Sequence, residues 1–208
     1  MLSIDKEGRV AVITLNRAEA AGAQPHSLRE ALHDAIDAVA MDDDVSVVLL
    51  TGREDGFPDG LNVSALGAEP LSASDHSPAE AIHRCVKPVL VAITGAAIAG
   101  GLELVLACDL IIASTSARFA DTHAHVGAEP GPGFAKRLVQ LIGPQRALEL
   151  SLTGEFLEAE QGYEWGLVGR LTPPETLAAT ALHIAKEMAR APLPALIKRK
   201  ALNVAATL

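Results

Sequence analysis

The stretch from residue 88 to residue 112 constrains this chain most, because it is almost wholly apolar and yet contains a glutamate. Glu103 lies two residues after the glycine pair Gly100-Gly101. Burying a carboxylate costs several kcal/mol unless it is paired or neutralised. Glu103, Asp109 and three glycines interrupt the stretch, which therefore predicts a core segment and not a membrane span. The sequence thus predicts an acid with a function inside the core.

Runs of aliphatic and β-branched residues bounded by turn residues predict strands. These runs cover residues 10–15, 45–51, 88–93, 109–113 and 117–120. Apolar residues recur at helical spacing between Leu28 and Val39, and the pattern is largely helical from Phe134 onward. Residues 95–101 are predicted to turn the chain into a helix that starts near Leu102. At 208 residues, we expect one α/β domain.

Composition excludes several classes of function. The formal charge of −9 opposes binding to nucleic acid or anionic lipid, because both would repel the protein at long range. Cys85 and Cys108 lie in apolar surroundings without CxxC spacing, which predicts reduced, buried thiols. The N-terminus shows no apolar signal segment, so we expect a cytoplasmic protein. Metal-ligand spacing and dinucleotide, P-loop or serine-hydrolase motifs are absent, so we expect no metal and no separate cofactor.

Glycines in two loops predict places where main-chain N–H groups can face a ligand. Gly100 and Gly101 precede the predicted helix, where unpaired N–H groups coincide with the positive end of the helix dipole. Their lack of side chains would let a carbonyl oxygen approach the backbone. The second loop, residues 56–65, could supply another donor. Close packing and an ordinary tight turn are the structural alternatives for the two loops.

The order and spacing of the motifs point to a family. The first set is Ile13-Thr-Leu-Asn-Arg17, Val48-Leu-Leu-Thr-Gly52, residues 57–66, Lys87-Pro-Val-Leu-Val-Ala-Ile-Thr-Gly95, Gly100-Gly-Leu-Glu-Leu104 and Ala107-Cys-Asp109. The second set is Ala117-Arg-Phe119, Gly143-Pro-Gln-Arg-Ala-Leu-Glu-Leu150, Leu152-Thr-Gly154 and Gly166-Leu-Val168. With these motifs, the chain resembles the enoyl-CoA hydratase/isomerase (crotonase) family over almost its entire length.

The resemblance implies an α/β fold, the crotonase-like spiral of repeated ββα units with a C-terminal helical region. It implies a single domain over residues 1–208, with the spiral core at about 1–133 and the helical region at 134–208. Because members of the family carry further helices where this chain stops, that region is expected to be shortened. The resemblance also implies an acyl-CoA substrate, with coenzyme A present only as part of the thioester, and a homo-trimer or hexamer.

Members of this family hold the thioester oxygen with two main-chain N–H groups, and the matching positions are Leu61 and Gly100. The resemblance places further substrate contacts at Ala21, Asp59, Gly60, Leu61, Asn62, Val63 and Gly101. A basic residue often contacts phosphate at the Ala21 position, so this chain departs from the family there. Replacement cations are expected at Lys198, Arg199 and Lys200, whose alternative role is a solvated helix face.

Hydratases of the family use two acidic side chains, and Glu103 matches the first of them. His123 stands at the position of the second, which is a departure from the family pattern. Histidine titrates near neutrality and can transfer a proton, so His123 is a candidate for that role. Alternatively, His123 is an exposed loop residue and Glu129 supplies the second acid. The structural alternative for Glu103 is a carboxylate that caps its helix.

The sequence therefore predicts an enoyl-CoA hydratase that adds water to a 2-enoyl-CoA thioester. An isomerase that moves a proton with Glu103 alone is the enzymatic alternative. An acyl-CoA-binding protein that keeps the fold without turnover is the alternative from another class, motivated by His123 and Ala21.

Overall fold

The computed structural model describes residues 2–15, 25–52 and 77–205. Its strands are β1 (Leu2–Glu7), β2 (Val10–Leu15), β3 (Val47–Gly52), β4 (Val89–Ile93), β5 (Ala96–Ile98), β6 (Leu110–Ser114), β7 (Arg118–Ala120), β8 (Leu157–Glu158) and β9 (Arg170–Thr172). Its helices are α1 (Pro25–Met41), α2 (Pro78–Arg84), α3 (Gly100–Ala107), α4 (His123–Val126), α5 (Phe134–Ile142), α6 (Pro144–Thr153), α7 (Ala159–Trp165), α8 (Leu177–Met188) and α9 (Leu193–Ala205). A short 3₁₀ helix, Pro174–Thr176, precedes α8.

The strands form two sheets that the chain visits in turn. The larger sheet has the order β1-β2-β3-β4-β6-β9, and only its first pair is antiparallel. The smaller sheet has the order β5-β7-β8. After β4 the chain crosses to β5 and then forms α3, and after β6 it crosses to β7 and then forms α4. These two successive units confirm the predicted ββα repeat.

Apolar side chains cover both faces of the larger sheet. On β4, Val89, Val91 and Ile93 belong to the main core cluster, whereas Leu90 and Ala92 belong to a second cluster on the opposite face. Helix α8 covers that second face with Leu177, Ala181 and Ala185, which lie one helical turn apart. A parallel strand buried on both faces needs no polar alternation, which explains the continuous apolar run at residues 89–93.

Most of the strands and helices that we predicted are present, with shifted ends. The predicted strands at 10–15, 45–51 and 88–93 are observed as β2, β3 and β4, and the helix predicted from Leu102 begins at Gly100. Residues 96–98 form strand β5, so the prediction of a continuous turn over 95–101 is wrong there. The strand is stable because β7 pairs with it, Ala97 lying opposite Phe119. The short strands β8 and β9 show that residues beyond 133 also extend both sheets.

Both cysteines are free and buried, in line with the expectation for the two thiols. Within the described ranges, no helix combines the length and the apolar character that crossing a lipid bilayer requires.

Candidate active site

The turn between β5 and α3 presents the first N–H groups of a buried helix. Ala99 hydrogen bonds through its N–H to the carbonyl of Ala120 at 3.1 Å, and its own carbonyl accepts from the N–H of Glu103 at 3.0 Å. Gly100 and Gly101 begin α3 and are buried, as is every other residue of this helix. N–H groups in the first turn of a helix lack carbonyl partners within that helix. The glycine pair therefore begins a helix as the sequence predicted, and the binding of an anion there stays a prediction.

Ala99 has a backbone conformation that glycine adopts more readily, with φ 48° and ψ −117°. Such a conformation costs a residue with a Cβ about 1–3 kcal/mol. We expect Ala99→Gly to raise the free energy of unfolding by about 1 kcal/mol, since the relieved strain exceeds the added entropy of the unfolded chain. Urea unfolding followed by circular dichroism measures the change. Ala179→Gly, at an exposed position inside α8, is the matched control and should lose about 1 kcal/mol. If Ala99→Gly lowered the free energy of unfolding as much as Ala179→Gly does, the backbone at Ala99 would not be strained.

A buried chain of three side chains, Glu103, His123 and Asp121, lies next to this turn. His123 Nε2 is 2.9 Å from Glu103 Oε1, and His123 Nδ1 is 2.7 Å from Asp121 Oδ1. All three residues are buried: Glu103 is 5% exposed, His123 is 4% exposed and Asp121 is 3% exposed. Asp121 Oδ1 also accepts the backbone N–H of His123 at 3.2 Å, and the Ser151 hydroxyl bonds to the same carboxylate. Asp121 therefore fixes the ring so that its other nitrogen meets Glu103.

The two carboxylates control the charge of the imidazole ring between them. Burial by itself would lower the pKa of His123, but the hydrogen bonds that the ring donates to Asp121 and Glu103, together with the charges of these carboxylates, raise that pKa to about 9. For Asp121, burial acts to raise the pKa, and the hydrogen bonds from His123 and Ser151 outweigh it, so the pKa is lowered. At neutral pH, His123 is therefore a protonated ring that donates to a carboxylate on each side.

Pairing between β5 and β7 brings these residues together. Ile98 lies opposite Ala120 in the parallel pair, so the segments that follow the two strands begin side by side. The first segment continues into α3, which carries Glu103 on its first turn. The second contains Asp121 and then His123, the first residue of α4. Phe134 packs against the imidazole edge-on, with ring centroids 5.4 Å apart.

Two cavities border the site, and Phe134 lines both of them. A small cavity of about 10 Å³ is bounded by Glu103 and by residues at the C-terminal end of α3. A larger, mostly apolar cavity of about 540 Å³ is bounded by His123, Asp121 and residues of α5 and α6. The chain of three side chains is thus buried but borders cavities at both of its ends.

The structure places the predicted site residues as follows. His123 points inward, so the alternative of an exposed loop residue is wrong. Glu129 is exposed, and no hydrogen bond or ion pair joins it to another described residue, so its role remains a prediction. Gly100 and Gly101 lie in the first turn of α3. The other predicted oxyanion and substrate contacts lie outside the described residues, and they are Ala21, Asp59, Gly60, Leu61, Asn62 and Val63.

Sequence reasoning assigned no role to Asp121 and Ser151. The spacing Asp121-Thr-His123 was the available signal, because a carboxylate two residues before a histidine can orient the ring. Ser151 gave no local signal, since it comes from α6, thirty residues further along the chain.

Comparison with known proteins identifies the family. The sequence model of the family described as enoyl-CoA hydratase/isomerase matches residues 5–207. The chain belongs to the enoyl-CoA hydratase/isomerase family. Its two-sheet spiral of ββα units is accordingly the crotonase fold of that family, as the solved structures of relatives also show.

Several relatives within the enoyl-CoA hydratase/isomerase family span most of this chain. A probable enoyl-CoA hydratase of Rhizobium meliloti is 34% identical, and the match covers 96% of this chain and 79% of the relative. A short-chain-enoyl-CoA hydratase of Clostridium acetobutylicum is 31% identical, with 96% and 80% covered. The crystal structure of an enoyl-CoA hydratase from Mycobacterium avium is 37% identical with a TM-score of 0.80, covering 99% of this chain and 90% of that one. The enoyl-CoA hydratase of Bacillus anthracis gives a TM-score of 0.84 at 30% identity, with 100% and 84% covered.

Proposed function

We propose that this protein is an enoyl-CoA hydratase, which adds water across the double bond of a 2-enoyl-CoA thioester. The observation that carries the proposal is the buried hydrogen-bonded chain of Glu103, His123 and Asp121 beside the glycine turn of α3. Relatives named as hydratases support it, since matches at 31–34% identity cover most of this chain. Family membership alone would allow other reactions, whereas these paired proton carriers fit the addition of water.

The thioester carbonyl is proposed to lie at the start of α3. The N–H of Gly100 opens this helix, so an oxygen placed there meets an unpaired donor and the positive end of the helix dipole. Negative charge develops on that oxygen when a nucleophile adds to C3, and preorganised donors stabilise it. The N–H of Leu61 is proposed as the second donor. Gly101, without a side chain, leaves room for the ligand beside the backbone.

Glu103 and His123 divide the proton transfers between them. As a carboxylate, Glu103 takes a proton from the attacking water while the oxygen of that water bonds to C3. Protonated His123 then gives a proton to C2, which completes the addition of water and consumes the enolate. The proton held by Glu103 returns to the neutral ring along the 2.9 Å hydrogen bond between Oε1 and Nε2. Both groups regain their starting charge, and the hydrogen bond to Asp121 keeps the orientation of the imidazole ring fixed throughout.

His123 is the better candidate than Glu129 for the second proton carrier. The ring is buried and bonded to Glu103, whereas Glu129 is exposed and its carboxylate is joined to no described residue. A protonated histidine can also do what a second glutamic acid would do, because both donate one proton to carbon.

Wild-type protein incubated with crotonyl-CoA is expected to remove the enoyl absorbance and to form 3-hydroxybutyryl-CoA, identified by mass. Chiral analysis of the product and an assay with 3-enoyl-CoA separate hydratase from isomerase. If the protein converted 3-enoyl-CoA to 2-enoyl-CoA without hydrating it, the function would be that of an isomerase and not of a hydratase. If the protein bound the thioester tightly but showed no turnover, even at high protein concentration, it would be an acyl-CoA-binding protein without enzymatic activity.

Assembly and location remain proposals. A homo-trimer or hexamer is consistent with the exposed apolar side chains Val139, Leu148 and Leu152 around the 540 Å³ cavity, which a second copy would cover. Light scattering coupled to size exclusion measures the mass of the assembly. A cytoplasmic location, the acyl-CoA substrate and the lack of a cofactor other than the CoA of that substrate rest on the sequence reasoning above.

A further inference from the structure

The small cavity at Glu103 adjoins a much larger cleft. We call the small cavity of about 10 Å³ the neck; Leu106 and Arg137 bound it together with Glu103. The cleft has a volume of about 600 Å³, and Leu106 and Arg137 belong to its walls as well. His83 of α2 is a third wall residue that the two share. Because they share these walls, the neck and the cleft adjoin each other, and Glu103 lines the neck only.

The cleft is lined by cations, and we call it the basic cleft. Its charged walls are Lys136, Arg137, Arg199, Lys200 and Asp109. Lys200 Nζ lies 2.7 Å from Asp109 Oδ2, so this lysine and this carboxylate neutralise each other. Within the described ranges the other three cations form no ion pair.

Two further observations show that the positive charge of the basic cleft is unusual for this protein. The chain as a whole carries a formal charge of −9. The pKa of His83 is lowered, first by burial and then by the charges of Lys200 and Arg137, although Asp109 and Glu80 act in the opposite direction. The basic cleft is therefore a local region of positive potential in an acidic protein, as an anion-binding region requires.

The direction of α3 decides which part of a thioester reaches the basic cleft. Gly100 opens the helix, Glu103 follows within one turn, and Leu106 and Ala107 close it. Eight helical residues span about 12 Å. With the carbonyl at Gly100 and C3 near Glu103, the rest of the acyl chain continues toward the neck. The sulfur lies on the other side of the carbonyl carbon, so CoA extends away from the basic cleft.

We propose that the basic cleft receives the far end of the acyl chain and that this end carries a carboxylate. The substrates would then be enoyl-CoA thioesters of dicarboxylic acids. This inference rests on the proposed hydratase function, because that function fixes the position of the thioester. Arg137 is the cation that lines both neck and cleft, and its guanidinium can bond a carboxylate through two parallel N–H groups. A purely alkyl chain would instead desolvate these cations without replacing their lost water.

The proposal also reassigns a cation predicted from the sequence. Arg199 was expected to contact CoA phosphates, but it lines the basic cleft at the opposite end of α3 from Gly100. Lys200 bonds to the backbone carbonyl of Lys87 at 3.0 Å as well as to Asp109, so it fastens α9 to the sheet.

Binding of two saturated thioesters of equal length tests the proposal without requiring turnover. Calorimetry compares hexanoyl-CoA with adipoyl-CoA, which differ only at the far end of the acyl chain. We expect the wild-type protein to prefer adipoyl-CoA, and Arg137→Gln to reduce that preference about 10- to 100-fold, as expected for a lost charged hydrogen bond. Arg190→Gln is the matched control, because it removes the same charge from a side chain that is 76% exposed and paired with Glu187. Arg199→Gln provides a second variant within the cleft.

The outcomes separate this inference from the proposed function. If Arg137→Gln weakens both thioesters equally, the cleft contacts the CoA part that they share, and the proposal is overturned. A wild-type protein without preference for adipoyl-CoA overturns it as well. Rates with the matching six-carbon 2-enoyl thioesters then test the proposed hydratase function. If the protein hydrates both without preference, the hydratase function stands and the carboxylate site does not. If the protein prefers to bind adipoyl-CoA but hydrates neither enoyl thioester, the carboxylate site stands and the hydratase function does not.

Discussion

Replacing Glu103 by glutamine should lower kcat for crotonyl-CoA hydration by about 10²- to 10⁴-fold, the contribution typical of a positioned acid–base group. The amide cannot accept a proton from water. Its oxygen can still accept the hydrogen bond from His123 Nε2, which lies 2.9 Å from Glu103 Oε1 in the wild-type protein, so the fold should persist. Initial rates of absorbance loss give kcat, and calorimetry with a saturated thioester gives the affinity, which should change little.

Two further glutamine variants make the comparison specific. Glu129→Gln tests the other candidate carboxylate, and our assignment of the second proton transfer to His123 predicts only a small effect on kcat. Glu160→Gln, at an exposed position of α7, is the control for loss of one negative charge. An unchanged kcat in Glu103→Gln would remove this residue from the mechanism, and a large loss in Glu129→Gln would move the second proton transfer to the exposed loop.

Replacing His123 by glutamine should lower the free energy of unfolding at neutral pH by about 3–5 kcal/mol, the cost typical of removing one partner from a buried ion pair. The protonated ring lies between two carboxylates, 2.9 Å from one and 2.7 Å from the other. A neutral amide can bond to them but does not balance their charge. Urea unfolding of the wild-type and variant proteins measures the difference.

The same comparison should depend on pH with a defined sign. The pKa of His123 is about 9 in the folded protein and about 6.5 in an unfolded chain. Its stabilising contribution is therefore complete below about pH 6.5 and is lost as the pH rises through about 9. The difference between wild type and His123→Gln should narrow over that interval. His125→Gln, at the exposed histidine two residues later, is the control. A difference that stays constant up to pH 10 would show that the folded protein does not hold the ring protonated.

Asp121 should act at the other end of the pH range. Its pKa is lowered in the folded protein, so the stability that it contributes is present above the usual value near 3.9 and is lost as the pH falls further. Together, Asp121 and His123 place the greatest stabilisation by this site between mildly acidic and neutral pH.

Glu103 and Gly100 could be found from the sequence because their signals are local. A carboxylate within an apolar run is costly unless it has a partner, and the structure shows Glu103 5% exposed and bonded to His123. The glycine pair before a helix predicted a turn with unpaired N–H groups, and Gly100 does begin α3. The same reasoning could not find strand β5, because a strand of three residues carries too little periodicity.

The partners of Glu103 could not be found in this way. Whether His123 pointed inward was open, since Glu103 and His123 are twenty residues apart and a loop residue can face either side. Strand pairing settled it, because β5 lies parallel to β7 and places the segments after them side by side. Ser151 reaches Asp121 only because α6 packs nearby. The basic cleft likewise combines α2, α5 and α9 with the end of α3.

The sequence by itself determined strands β2, β3, β4 and β6 of the larger sheet, the helix that carries Glu103 and the family, and it singled out Glu103 as a carboxylate in the core. Each of these depends on neighbouring residues, through periodic burial or through motifs of fixed spacing. Only the tertiary structure decided that His123 is a protonated ring between two buried carboxylates, and that the cavity at Glu103 adjoins a cleft lined by cations. Charge state and cavity shape depend on groups far apart in the chain, because electrostatic interaction and packing act through space.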